Sequence, residues 1–135
     1  MALRRKAREF ALQMLFQWEM HPQEPARLEA VFWKRARAEK KTRDFANQLF
    51  EGAAAAAKEL DSRIQQHSKN WRIDRMAAID HSILRLGVYE LRFTGTPPKV
   101  VINEAVELAK KYSTEESAPF INGILDAIAK SEARK

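Results

Sequence analysis

Reactive groups do chemistry when the chain gathers them, and this sequence scatters them. The three histidines, His21, His67 and His81, lie on separate segments, and the 135 residues include no cysteine. Without a thiolate or a His-x-x-x-His pair the ligand spacing of a structural zinc site is missing, so no metal site is expected. Each histidine is read as a surface or helix-capping residue. The four glycines, Gly52, Gly87, Gly95 and Gly123, form no cluster, so no loop can wrap successive backbone amides around a phosphate. Adjacent acids at Glu115 and Glu116 are explained by the positive end of the helix that follows them. No catalytic constellation remains; the chain reads as a non-enzyme with no cofactor.

What is left is positive charge and flat rings. The formal net charge is +6, and residues 1–43 hold 11 Lys/Arg against 5 Asp/Glu, while residues 44–135 hold 13 against 13. Cations clustered in this way bind polyanions by releasing the counterions condensed on phosphates, although a solvated helix face would show the same excess. Arg4, Arg5, Lys6 and Arg8 open the first helix, where a backbone anchored by its core face can hold them toward phosphates. A single strand is also held by base stacking, worth about 1–3 kcal/mol per base, which singles out Phe16, Tyr112 and Phe120. Each of these rings would serve equally well as a core aromatic. A second basic run, Lys34, Arg35, Arg37, Lys40, Lys41 and Arg43 within residues 27–43, has the same two readings.

Helices must position these groups. Ala7, Phe10, Ala11, Met14, Leu15 and Trp18 recur at helical spacing over 3–18, with Leu12 and Phe16 on a second face. Pro22 and Pro25 interrupt the pattern. A helix over 26–38 follows, burying Leu28, Val31 and Phe32 with Arg35 beside them, and then a long one over 43–67 with Thr42 as its cap. The Ala53–Ala57 run favours helix and lets a neighbour approach closely, and Gly52 marks a close crossing or a bend. Asp74 is placed as the cap of a short helix through Met76 and Ile79. The stretch 80–93 is apolar on most sides and should be the most buried element. Pro97 and Pro98 open a helix ending near Tyr112, and Ser117 caps the last, with Pro119 in its first turn.

No run alternates over strand length apart from 100–102, and no repeat of 20–50 residues is evident. The expected architecture is all-α, about seven helices in one domain, with helical subdomains over 1–70 and 71–135. With 45% hydrophobic residues the chain can bury a core, and without disulfides packing alone must stabilise it. The basic opening is followed by no apolar run, and nowhere do about 18 apolar residues succeed one another, so a soluble cytoplasmic protein is expected.

Taken together, several segments resemble the NusB family of transcription antitermination factors. They are residues 4–9 with Ala11-Leu12-Gln13 and Phe16-Gln17; Phe45-Ala46 through Gly52; Ile83-Leu84-Arg85-Leu86 with Tyr89-Glu90-Leu91; Lys99-Val100-Val101-Ile102-Asn103-Glu104-Ala105-Val106-Glu107-Leu108-Ala109-Lys110; and Phe120-Ile121-Asn122-Gly123-Ile124-Leu125-Asp126. The resemblance spans nearly the whole chain and is weakest over 20–41; it departs from the family at Ser113 and Pro119. It implies two packed helical bundles that bind boxA-type single-stranded RNA together with the ribosomal protein NusE, in a transcription elongation complex. It places Arg4, Arg5, Lys6, Arg8, Phe16, Phe120 and Asn122 at the RNA, and Asp74 and Asp80 toward NusE. Two rival readings stand beside it: a protein-only assembly module or homodimer, and an RNA-binding accessory to an rRNA methyltransferase, for which the chain has no cofactor domain.

Overall fold

The computed structural model describes residues 2–133. Seven α-helices follow one another: α1 (Ala2–Met20), α2 (Pro25–Arg35), α3 (Lys40–Ala55), α4 (Ala57–Gln66), α5 (Ala78–Phe93), α6 (Pro98–Tyr112) and α7 (Ser117–Ala133), with a 3-10 turn at Ile73–Arg75 before α5. No strand occurs among the described residues. The fold is all-α with seven α-helices among the described residues, as expected, but the seven are divided differently.

The expected single helix over 43–67 is two helices, interrupted at Ala56, whose amide donates to the Gly52 carbonyl at 3.1 Å. Gly52 itself sits at a crossing with α5, where an added Cβ would overlap the Tyr89 ring. Thr42 is no cap: α3 already begins at Lys40, and Thr42 is buried in its first turn. The expected short helix after Asp74 is the 3-10 turn, which contains Asp74, and α5 starts only at Ala78. At α7 the capping hydroxyl belongs to Thr114, which accepts from the Ser117 amide at 3.2 Å.

α5 is the centre of the molecule and touches α1, α3, α4, α6 and α7. Every residue from Asp80 to Val88 is buried, which a helix surrounded by five neighbours requires. α1 lies against both α3 and α5, and this explains its second apolar face: Leu12 is as fully buried as Leu15. One turn beyond Leu12 on that face, Phe16 is half-buried. α2 is shorter than expected, and Val31 is exposed while Leu28 and Phe32 face inward, because an 11-residue surface helix has room for only one narrow apolar stripe. Phe10, Phe32 and Trp33 close that end with edge-to-face contacts, centroids 4.9–5.9 Å apart. Side chains of α1, α3, α5 and α7 form one continuous buried cluster. With roughly 1.5–3 kcal/mol contributed by each fully buried Leu, Ile or Phe, this shared core is what fixes the surface elements relative to one another.

Candidate nucleic-acid interface

Side chains from the first half of α1 reach the middle and the C-terminal end of α6 through ion pairs. Arg5 clasps Glu104 through two hydrogen bonds of 3.1 and 2.8 Å, and Lys111 meets Glu9 at 3.0 Å. The Tyr112 hydroxyl donates to Glu9 at 3.2 Å, and the Gln13 amide reaches that hydroxyl at 3.5 Å. Lys6, Glu9, Gln13 and Phe16 succeed one another at intervals of three and four residues, so they form one face of α1. Lys6, Lys110 and Lys111 are exposed along this seam, and Phe16 lies one turn beyond Gln13.

Where α6 ends, the contacts continue into α7. Ser113 donates to Asp80 at 2.6 Å and Ser117 to the other Asp80 oxygen at 2.8 Å. One turn into α7 stands Phe120, its ring edge-on to Trp71 with centroids 6.1 Å apart. Trp71 is 59% exposed. Both rings line a hollow of about 240 Å³ together with Arg75, Met76, Asp80 and Ser117. Asn122 is exposed on the same helix. Cations held on α1 and α6 thus lead toward Phe120 near the start of α7 and the Trp71 ring that the connector before α5 sets against it.

The seam's charges are tuned by contact. Burial pushes the Glu9 carboxyl up, but the hydrogen bond and charge of Lys111 outweigh it, and its pKa is lowered. Glu104 is also held below the usual range, mainly by the hydrogen bond from Arg5. Both acids are ionised at neutral pH and fix the cations' positions.

The structure separates the sequence-selected residues into two groups. Arg5 and Lys6 lie on the seam and Phe16 one turn beyond Gln13 on the same side of α1, whereas Phe120 stands near the start of α7 against Trp71, and Asn122, two residues on, is exposed on a different face of that helix. Arg4 is exposed but turns to α3, its guanidinium 4.6 Å above the Phe45 ring. Arg4 and Arg5 also line a groove of about 670 Å³ with Thr94, Gly95, Pro97 and Val100. Arg8 departs from the expectation. It is 4% exposed, and its Nε and Nη2 each donate to Glu90 at 2.8 Å, so its donors are turned into the core. Asp80 departs likewise: at 9% exposure its carboxylate is occupied by two serine hydroxyls, while Asp74 is exposed beside Arg72 at 3.4 Å.

Among the histidines, His81 is neither a surface nor a cap residue: its Nε2 is buried 2.6 Å from Asp61. Arg85 binds the same carboxylate at 2.8 and 2.7 Å and also reaches Glu19, tying α5 to α4 and α1. Burial opposes ionisation of Asp61, yet the hydrogen bonds from Arg85 and His81 prevail and lower its pKa to about 2. Among the described residues no cluster of His, Asp or Glu could hold a metal ion, and no helix is long and apolar enough to cross a membrane. Sequence reasoning missed Gln13, Lys111 and Trp71. The first was within reach, since its spacing from Lys6 and Phe16 places it on their face; Trp71 gave no signal, because nothing in a connector's composition says which ring it meets.

The fold and this seam define a helical scaffold that displays cations and rings, with buried ion pairs serving to lock its helices. The chain matches the NusB family over residues 5–130. It is 46% identical to the transcription antitermination protein NusB of Koribacter versatilis over 94% of its length and 88% of that protein's. It is also 46% identical to that of Myxococcus xanthus, with 96% of both chains covered. A crystal structure of the antitermination factors NusB and NusE in complex with dsRNA contains a chain that superposes with a TM-score of 0.87 at 33% identity, covering 97% of this chain and 98% of that one. The protein belongs to the NusB family of transcription antitermination factors.

Proposed function

We propose that this protein is a transcription antitermination factor that holds boxA-type single-stranded RNA and NusE together in the elongation complex, and breaks no bonds itself. The observation that carries this reading is the seam: Lys6 and Lys111 along α1 and α6, with Phe16 and Phe120 at its far end, in a chain similar along its length to a NusB bound to NusE and RNA. Arg5 and Lys6 contact phosphates, assisted by Arg4; Phe16 and Phe120 stack on bases; Asn122 hydrogen-bonds a base edge. Arg8 acts from beneath, holding the first turns of α1 against α5. Asp74 meets basic residues of NusE directly, and Asp80 supports that contact by fixing the first turn of α7.

Titration of fluorescent boxA RNA with and without NusE tests this. Binding should exceed that of a scrambled RNA, rise when NusE is added, and weaken with salt at a log–log slope of about 0.7 for each phosphate contacted. Equal affinity for scrambled RNA and indifference to NusE would leave a protein-only module as the better reading.

A further inference from the structure

The cations of the seam and core have partners, but among the described residues most of those at the end of α2 and the start of α3 do not. Both arginines of α5 and Lys110, Lys111 and Lys130 are in ion pairs. By contrast Lys34, Arg35, Arg37, Lys41 and Arg43 are all exposed and make no ion pair among the described residues; of this run Lys40 is neutralised, by Asp44 at 3.1 Å. Five unneutralised cations within ten residues repel one another, and a chain of phosphates relieves that repulsion.

This patch is continuous with the groove already described. Lys41 and Phe45 are one turn apart on α3 and share a face. The Arg4 guanidinium covers the Phe45 ring, so positive charge passes from the connector over 36–39, through Lys41, to Arg4 and the groove that Arg4 and Arg5 line. Neither Arg35 nor Arg37 is needed to hold the fold, since both project into solvent from the end of α2 and the connector after it.

We propose that the end of α2, the connector and the first turn of α3 form a second stretch of RNA-binding surface, which holds the phosphates of nucleotides flanking the boxA-type element. The inference rests on the RNA-binding function proposed above. It is sequence-independent in chemistry, because side chains that meet only phosphates read no bases.

The test compares a minimal boxA RNA with the same RNA carrying unrelated flanking nucleotides. The wild type should bind the longer RNA more tightly and with a steeper salt dependence. In Lys34→Gln/Arg37→Gln/Lys41→Gln the slope for the longer RNA should fall by about 2, at about 0.7 per lost contact, while affinity for the minimal RNA stays. Lys58→Gln/Lys130→Gln, which removes charge from α4 and α7, should bind the longer RNA as the wild type does. The inference is overturned if flanking nucleotides add nothing, if the triple variant weakens both RNAs alike, or if the control variant loses as much. Failure of the wild type to prefer the minimal boxA RNA over a scrambled one strikes instead at the proposed function; the triple and control variants then judge this surface on the longer RNA alone.

Discussion

Arg5 and Arg8 stand one turn apart in the same basic segment, yet their removal should have opposite consequences. Arg8 is 4% exposed and Glu90 2%, and two parallel hydrogen bonds of 2.8 Å join them. Arg8→Ala would leave the Glu90 carboxylate buried without a counter-charge, which costs about 3–5 kcal/mol. Against a total stability of about 5–15 kcal/mol that loss is large, and in a domain of this size it lowers Tm by roughly 10–15 °C. Arg8→Met/Glu90→Leu should recover most of the loss, because no lone charge remains inside. Arg5, whose side chain is 56% exposed, meets Glu104 in solvent, where water screens the pair. Arg5→Ala should therefore melt with the wild type while binding RNA more weakly. Calorimetry of the three variants, with RNA titrations of those that fold, separates the roles. An Arg8→Ala protein melting at the wild-type temperature, or a double variant no better than the single one, would refute the reasoning.

Three further outcomes follow from buried groups. Asp61 titrates at about 2 in the folded protein instead of 3.8, so its contribution is complete above pH 3.8 and disappears as pH falls toward 2. Urea denaturation across that window should show Asp61→Asn with a flatter acid loss than the wild type; equal slopes would sink the assignment. Glu29 is shifted the other way, to about 8, by burial and then by Glu51. The folded state favours its protonated form, so stability declines from pH 4.5 to 8, and Glu29→Gln should remove that decline and raise stability at pH 8. Gly52→Ala should destabilise by about 1–3 kcal/mol through overlap with Tyr89, and much less in a Tyr89→Ala background, a coupling that paired denaturation curves would reveal.

Much of this fold was legible because the apolar residues of the chain recur at helical spacing. The stripes of α1, α6 and α7 and the all-round burial of α5 followed from spacing alone. What spacing could not convey was tertiary. Thr42 and Asp74 are good capping residues, but the helices start elsewhere, since packing and not local propensity sets their ends. The candidate site was legible as residue types and not as roles. Arg4, Arg5, Lys6 and Arg8 look equivalent in sequence, and the Glu90 that claims Arg8 lies 82 residues away. Asp80 looked like a surface acid because nothing local announces that Ser113 and Ser117 converge on it.

Chemical-shift mapping of isotope-labelled protein with boxA RNA addresses the seam most directly. The shifts should concentrate on Lys6, Gln13 and Phe16 of α1, Lys111 of α6, and Phe120 and Asn122 of α7, leaving the exposed face of α4 unmoved. Shifts confined to other surfaces, or none at RNA concentrations that saturate binding, would contradict the claim that α1, α6 and α7 together carry the strand.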